Sequence, residues 1–364
     1  MNIMTNRMDL GFQKHQAEYE EAALRVLRSG WYILGKEVEA FEEEFAAFHG
    51  EGLSCAGVAN GLDALVLGIR ALGIGEGDEV IVQGNTYIAS VMGASINGAT
   101  PVFVEPDEHH QIDVTKIEAA VTPRTRAVLV VHLYGLICDM DEVVKICRKH
   151  SLKLVEDCAQ SHGAKWNGKP AGTFGDVGCF SFYPSKNIGA FGDAGACISP
   201  DPELIRKIKV LRNYGSGKRY YNEVVGVNSR LDEIQAAMLR VRMKYIDEIT
   251  EERRKIASVY DEKITNPGII KPVQLTGGFA VYHQYVIRSE RRDELIGYLK
   301  EKGIGTIIHY PVPPHLQEAY AYLGHHKGDY PICEKYADEV LSIPIYNGLT
   351  SEDQEYVIDA LNNF

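Results

Sequence analysis

Residues 127–156 run from Ala127-Val-Leu-Val-Val-His132, through Met140-Asp-Glu-Val-Val-Lys-Ile-Cys-Arg-Lys149, to Leu152-Lys-Leu-Val-Glu156. The two outer runs are short and β-rich, whereas the middle one carries its apolar residues at helical spacing. A strand, a helix and a strand in immediate succession predict parallel strands joined by a covering helix. The same alternation extends in both directions. Val80-Ile-Val-Gln83, Pro101-Val-Phe-Val104 and Gly178-Cys-Phe-Ser181-Phe182 read as further strands, and residues 61–72, 89–97 and 202–212 as further helices. The expected fold class is α/β, with a largely parallel sheet sandwiched by helices.

Beyond this region the pattern changes. A long helical stretch is expected from near Ser229 to Lys263 as a spine between two domains. An apparent strand (Tyr282 to Ile287), a helix (Arg292 to Lys302), a Pro-rich turn (Tyr310-Pro-Val-Pro-Pro314) and terminal helices follow, the last opened by a capping box of Ser351 and Gln354. The expected division is a large α/β domain over residues 1–250, with an N-terminal helical arm, and a smaller α+β domain over 251–364.

At 364 residues and 45% hydrophobic composition the chain can bury a sizeable core. Its formal charge of −12 argues against nucleic-acid or acidic-membrane partners, so any anionic ligand must meet local donors. The seven cysteines form no C-x-x-C pair and several lie in apolar runs, as expected of core thiols in a reducing compartment. No stretch resembles a signal peptide or a membrane span, and a cytoplasmic location is expected.

In an open α/β sheet, ligands bind outside the carboxyl ends of the strands, and Asp157 stands at such an end. Alone it would read as a helix cap. Its neighbours are Gln160, His162, Ser181 and Lys186, inside a stretch punctuated by Gly189, Gly192 and Gly195. An acid can pair with a pyridinium nitrogen, and an apolar-pocketed lysine can attack an aldehyde. An amide or imidazole at Gln160 or His162 can face a ring hydroxyl. Asn60-Gly61-Leu62-Asp63 caps a helix whose exposed N–H groups suit a phosphate, to which Ser181 can add a hydroxyl. Tyr87 closes another strand and offers a face to a ring. Ring nitrogen, aldehyde and phosphate together describe pyridoxal 5′-phosphate (PLP).

Other motifs carry less. Gly73-Ile-Gly75-Glu-Gly77 precedes a strand and so is no dinucleotide fingerprint, and Tyr183 and Lys186 are one residue too close for the Tyr-x-x-x-Lys pair of short-chain dehydrogenases. His109 and His110 lack metal-ligand spacing and read as surface residues.

Seven segments together carry a resemblance to the DegT/StrS family of PLP-dependent sugar aminotransferases: Ser29-Gly-Trp-Tyr-Ile-Leu-Gly35, Asn60-Gly-Leu-Asp-Ala-Leu65, Val131-His-Leu-Tyr-Gly135, Glu156-Asp-Cys-Ala-Gln-Ser-His-Gly163, Phe180-Ser-Phe-Tyr-Pro-Ser-Lys186, Asn228-Ser-Arg-Leu-Asp-Glu-Ile-Gln235 and His309-Tyr-Pro311. The resemblance implies a fold-type-I architecture, with a mostly parallel seven-stranded sheet and a smaller C-terminal α+β domain, in a homodimer with shared active sites. It implies that Lys186 bonds the cofactor aldehyde, Asp157 pairs with the pyridinium, Gln160 contacts the ring hydroxyl and Tyr87 stacks on the ring. Asn60, Gly61, Leu62 and Ser181 would hold the phosphate, joined by Asn228 of the neighbouring subunit. The family's usual tripeptide after Leu-Tyr-Gly is replaced here by Leu136-Ile137-Cys138, away from the cofactor lysine. Some members carry histidine in place of that lysine and dehydrate their sugars, and Lys186 argues against that branch.

The implied reaction moves an amino group from L-glutamate to a nucleotide-linked oxo sugar. Gly-Trp-Tyr-Ile-Leu-Gly and Asn-Thr-Tyr-Ile-Ala-Ser look most like members that convert a dTDP-3-oxo-6-deoxyhexose to dTDP-3-amino-3,6-dideoxyhexose. Lys218-Arg219 would meet the diphosphate, and Tyr183, His309 and Tyr310 the hexose. A 4-oxo sugar and a catalytically silent regulatory protein of the same fold are the alternatives.

Overall fold

The computed structural model describes residues 2–364. Helices α1 (Met8–Lys14), α2 (Gln16–Ser29) and α3 (Lys36–His49) form the N-terminal arm. Then β1 (Ser54–Val58), α4 (Gly61–Ala71), β2 (Glu79–Gln83), α5 (Ile88–Ser95), β3 (Thr100–Val104), α6 (Val114–Ile117), β4 (Thr125–Val131), α7 (Met140–Lys149) and β5 (Lys153–Asp157) alternate. A small hairpin, β6 (Lys165–Trp166) and β7 (Lys169–Pro170), separates β5 from β8 (Val177–Ser181), β9 (Gly195–Ser199) and α8 (Pro202–Leu211).

One seven-stranded sheet results, ordered β1-β9-β8-β5-β4-β2-β3. Strands β3, β2, β4, β5 and β8 run parallel, while β9 is antiparallel to both β8 and β1. Strand β4 shows why the chain folds this way. Val128 and Val130 enter one core with Phe41, Phe45 and Phe180, whereas Ala127, Leu129 and Val131 enter the other with Leu65 and Ile69. A strand buried on both faces needs a continuous aliphatic run, which is what the sequence supplies.

The expected spine is broken. Strands β10 (Ser216–Lys218) and β11 (Tyr221–Asn222) form an exposed hairpin, followed by α9 (Glu233–Met243) and then α10 (Ile246–Lys263). Ser229 is not helical because its hydroxyl accepts the Ala59 N–H at 3.2 Å. The interruption at Tyr245 coincides with its ring stacking on His15, centroids 3.5 Å apart. Helix α10 starts in the sheet's core at Ile246 and ends in a third cluster with Ile256 and Tyr260.

That third cluster is built by β13 (Tyr285–Arg288), α11 (Arg292–Glu301), β14 (Val340–Ile343) and α13 (Ser351–Asn362), the short β12 (Gly278–Phe279) and α12 (Pro331–Glu339) completing the chain order. The strand expected from Tyr282 begins only at Tyr285. Val281 and Gln284 instead donate to the carbonyls of Gly135 and Tyr134, at 2.8 and 3.2 Å, tying this unit to the sheet. The last helix is capped by Thr350, which accepts from Asp353 N at 3.0 Å, and Ser351 is its first residue. His110, expected at the surface, is 3% exposed and packs between Tyr134 and Tyr336. All seven cysteines are buried and unpaired. Among the described residues no helix is long and apolar enough to cross a membrane.

Candidate active site

The parallel strands end together, and their carboxyl ends gather most of the expected residues. Asp157 closes β5 and is 4% exposed. Burial drives its carboxyl pKa up; opposing this, Ser90 Oγ donates to Oδ2 at 2.7 Å, Ala159 N donates to Oδ1 at 3.0 Å, and Lys186 adds a positive charge. Ser90 is reached in turn by the Thr86 hydroxyl at 2.8 Å. A carboxylate held this way retains acceptor capacity for one further cationic N–H.

Lys186 lies on the loop after β8, in a turn closed by its own N–H to Tyr183 O at 2.8 Å. Burial pushes its ammonium pKa down to about 8, and the Asp157 charge acts in the opposite sense. No side-chain hydrogen bond contributes. Its positive charge reaches His162, His283 and His309, all of which burial keeps neutral.

Gln160 is placed by two bonds. Its Oε1 accepts Tyr134 N at 2.5 Å and its Nε2 donates to Tyr310 Oη at 3.2 Å. Tyr87, at the start of α5, is 52% exposed and its ring lies 5.0 Å from that of Tyr310. Expected cofactor and substrate residues are thus already in contact. His309 accepts the Tyr134 hydroxyl at its carbonyl and holds Ser342 Oγ at 2.7 Å through Nδ1. His162 packs against Phe180 and Phe182, with both ring nitrogens unpartnered.

The start of α4 forms the other half. Asn60 Oδ1 accepts Asp63 N at 2.9 Å, and Asn60 O accepts Ala64 N at 3.1 Å. The N–H groups of Gly61 and Leu62 have no acceptor of their own among the described residues. Ser181 accepts Tyr183 N at 3.3 Å, which leaves its hydroxyl proton to give. Close approach makes the cradle possible: a Cβ on Gly61 would fall 2.4 Å from Ser181 Cβ, and one on Gly195 2.3 Å from Asn60 O. Two backbone donors and a hydroxyl at the positive end of a helix suit a phosphate. With an aldehyde-reactive amine and a buried carboxylate beside it, the donor set fits PLP.

Two expected residues stand apart, and a third turns its ring to solvent. Arg219 lies at the exposed tip of the β10–β11 hairpin, its guanidinium 5.0 Å from the Tyr220 ring. Asn228 is exposed, bridged to Asn213 through the backbone only. Tyr183 is 55% exposed. Arg219 and Asn228 make no hydrogen bond to the site residues of their own chain, whereas the Tyr183 backbone is bonded to both Ser181 and Lys186.

Sequence reasoning missed Thr86, just before Tyr87, and Ser90, in the first turn of the helix that follows it; a pair of hydroxyls flanking such a helix start was the available signal. It also gave no role to Glu156. This buried carboxylate accepts the N–H groups of Gly172, Phe174 and Gly175 at 2.7, 2.7 and 2.8 Å and meets His132 Nε2 at 3.1 Å. Because His132 Nδ1 accepts Cys138 N at 3.3 Å, Nε2 carries the proton and donates to Glu156.

A model of the DegT/DnrJ/EryC1/StrS aminotransferase family matches residues 13–362. The dTDP-3-amino-3,6-dideoxy-alpha-D-galactopyranose transaminase of Aneurinibacillus thermoaerophilus is 51% identical over 352 residues, covering 96% of each chain. The dTDP-3-amino-3,4,6-trideoxy-alpha-D-glucose transaminase of Streptomyces venezuelae is 48% identical, covering 97% of this chain and 93% of the relative. DesV of S. venezuelae, solved in complex with a ketimine intermediate, superposes with a TM-score of 0.97 at 46% identity, covering 100% of this chain and 98% of its own. With the fold, the site and these relatives in agreement, the chain belongs to the DegT/DnrJ/EryC1/StrS aminotransferase family.

Proposed function

We propose that this protein is a PLP-dependent aminotransferase that moves an amino group from L-glutamate to carbon 3 of a dTDP-linked 3-oxo-6-deoxyhexose. The observation that carries the reading is Lys186: an amine depressed to about 8, influenced by Asp157 but not hydrogen-bonded to it, at the strand ends where a phosphate cradle also opens. Relatives matched over nearly the whole chain support the choice of carbon 3.

Bound PLP supplies an electron sink for the carbanion formed when a substrate C–H bond breaks. The chain's residues do the rest. Asp157, held by Ser90 and Ala159, keeps a negative charge for the ring nitrogen and so keeps that nitrogen protonated. Gly61, Leu62 and Ser181 would hold the phosphate, Gln160 would meet the ring hydroxyl, and Tyr87 would offer its face to the ring. Lys186 binds the cofactor at rest. Its Nζ would also hold and return the proton taken from a substrate carbon, work that a pKa near neutrality suits.

The reading includes a homodimer. Trp31 (63% exposed), Tyr220 (83%) and Val225 (91%) leave large apolar surface uncovered in one chain. In the dimer the hairpin carries Arg219, with Asn228 behind it, to the partner's site, Asn228 for the cofactor phosphate and Arg219 for the diphosphate. Tyr183, His309 and Tyr310 face the hexose. We divide each chain into a large unit of residues 1–250 and a smaller one of 251–364, with α10 crossing between them, and place the protein in the cytoplasm, where its unpaired thiols stay reduced.

The test is incubation with L-glutamate and a panel of dTDP-3-oxo and dTDP-4-oxo hexoses, followed by product mass and NMR. Amination at carbon 3 is expected. Product from 4-oxo sugars alone refutes the regiochemistry, and no product with any acceptor, from protein that binds PLP, refutes the enzyme.

A further inference from the structure

A cavity of about 380 Å³ opens on the side of the Lys186 loop that faces the N-terminal arm. Its lining is unusually cationic for a protein of net charge −12. Arg242, Arg253, Arg7 and Lys186 face it, with Asp9 as the carboxylate among them. That carboxylate is already engaged, taking Arg7 Nε at 2.8 Å and Nη2 at 2.6 Å. The other two arginines have no acidic partner within 4.0 Å among the described residues.

Arg253 is 3% exposed. Its Nη1 donates to the carbonyls of Tyr282, His283 and Ile345, at 3.1, 3.1 and 3.3 Å, and its Nε to Asn347 Oδ1 at 3.2 Å. Nη2 is left without an acceptor. Arg242 donates Nε to Asn187 O at 3.2 Å, and its guanidinium stands beside the neutral Tyr19 hydroxyl, with no carboxylate paired to it. Gly11 of the arm packs so close that a Cβ there would lie 2.7 Å from Arg242 Nη1. The two guanidinium groups feel each other's charge, which with burial lowers the pKa of Arg253 to about 9. Neutral carbonyls satisfy N–H geometry but do not neutralise charge, and burying an uncompensated cation is costly. Glu252 acts on Arg253 only through its charge, its oxygens being taken by Asn347 and Gly348, and no carboxylate is paired with either guanidinium among the described residues.

The cofactor phosphate does not fill this role, because its donors at Gly61, Leu62 and Ser181 lie outside the cavity lining. We propose that Arg242 and Arg253 form a subsite for an anionic group of a substrate, next to Lys186. The shared chemistry is an oxyanion that a planar guanidinium fork binds through paired N–H donors, with two sources in the proposed reaction: a carboxylate of the amino donor or the diphosphate of the dTDP-sugar. This deepens the aminotransferase reading and rests on it. Arg253 holds three carbonyls of the C-terminal segment as well, so Arg242 is the residue to test.

The experiment compares wild-type holoenzyme with Arg242→Met and Arg242→Lys. Absorbance of the bound cofactor follows the glutamate half-reaction, and calorimetry measures binding of dTDP. Truncating one partner of a buried charge pair weakens binding by at least about tenfold. A rise of that size in the glutamate half-saturation alone assigns the carboxylate, and a rise in the dTDP Kd alone assigns the diphosphate. Arg242→Lys, which retains the charge but loses the fork, should recover part of the loss. Both constants within about twofold of wild type, in Arg242→Met protein of unchanged PLP content and thermal midpoint, would overturn the subsite. Should Arg242→Met fail to fold, Arg242→Gln takes its place on the same two readouts: a rise of about tenfold in either constant supports the subsite, and both within about twofold of wild type overturn it. A wild type that neither reacts with glutamate nor binds dTDP refutes the aminotransferase reading itself, a different result from turnover with unmoved Arg242→Met constants.

Discussion

Lys186 and Asp157 make a quantitative prediction about the apoprotein. An ordinary lysine near 10.4 is about 0.04% free amine at pH 7, whereas one at about 8 is roughly 10% free, a gain of some 200-fold in nucleophile. The pH dependence of Lys186 labelling by an amine-reactive sulfonate, read by peptide mass spectrometry, should have its midpoint near pH 8. Because the Asp157 charge raises the Lys186 pKa, Asp157→Asn should move that midpoint lower. The sign also fixes a stability effect. Folding disfavours the protonated amine, so the cost is full below about pH 8 and fades as pH rises towards 10.5, the ordinary value. With 1.36 kcal/mol per pH unit, that cost is at most about 3 kcal/mol. Lys186→Met apoprotein should therefore outlast wild type in heat or urea at pH 7, by a margin that shrinks at pH 10. A labelling midpoint above 10, or one that rises in Asp157→Asn, would refute the account of this lysine.

Ser90→Ala removes a hydroxyl from a buried carboxylate at 2.7 Å, a bond worth about 1.5–3 kcal/mol, and PLP affinity by equilibrium dialysis should fall by about 10- to 150-fold. Gly61→Ala forces a methyl against Ser181 Cα, 3.0 Å away on the backbone, so the same dialysis should show cofactor binding lost while the far-UV circular dichroism stays intact. Glu156→Gln replaces an acceptor oxygen with an NH₂ group and strands at least one buried donor, which should destabilise the protein by about 1–3 kcal/mol in urea titration of the apoprotein. Val225→Asp, at 91% exposure on the segment after the hairpin, should yield monomers in sedimentation and abolish turnover, whereas a dimer of full activity would refute the shared site.

The sheet was legible because its central strands are buried on both faces: Ala127 to Val131 admits one reading, and its neighbours repeat it. The interruption at Tyr245 was not, since helix propensity continues through it and the stacking partner, His15, is far away in sequence. His110 was misread for the same kind of reason. A polar residue beside another in an acidic turn looks solvated until Tyr134 and Tyr336, from distant segments, close over it. The site divides along this line too. Asp157, Ser181 and Lys186 share one stretch of chain, so their chemistry could be read together. The atoms that set how they behave come from elsewhere: Ser90 from α5, Tyr310 from the turn between α11 and α12, Arg242 and Arg253 from the two helices that were expected to be one. Sequence proximity revealed what the site can do, and the long-range contacts decide at what pH and for which anion. The same division explains why the Leu136-Ile137-Cys138 departure is tolerated. These residues are buried, and the Cys138 contact that fixes the His132 tautomer is made by its backbone N–H, which a change of side chain there leaves in place.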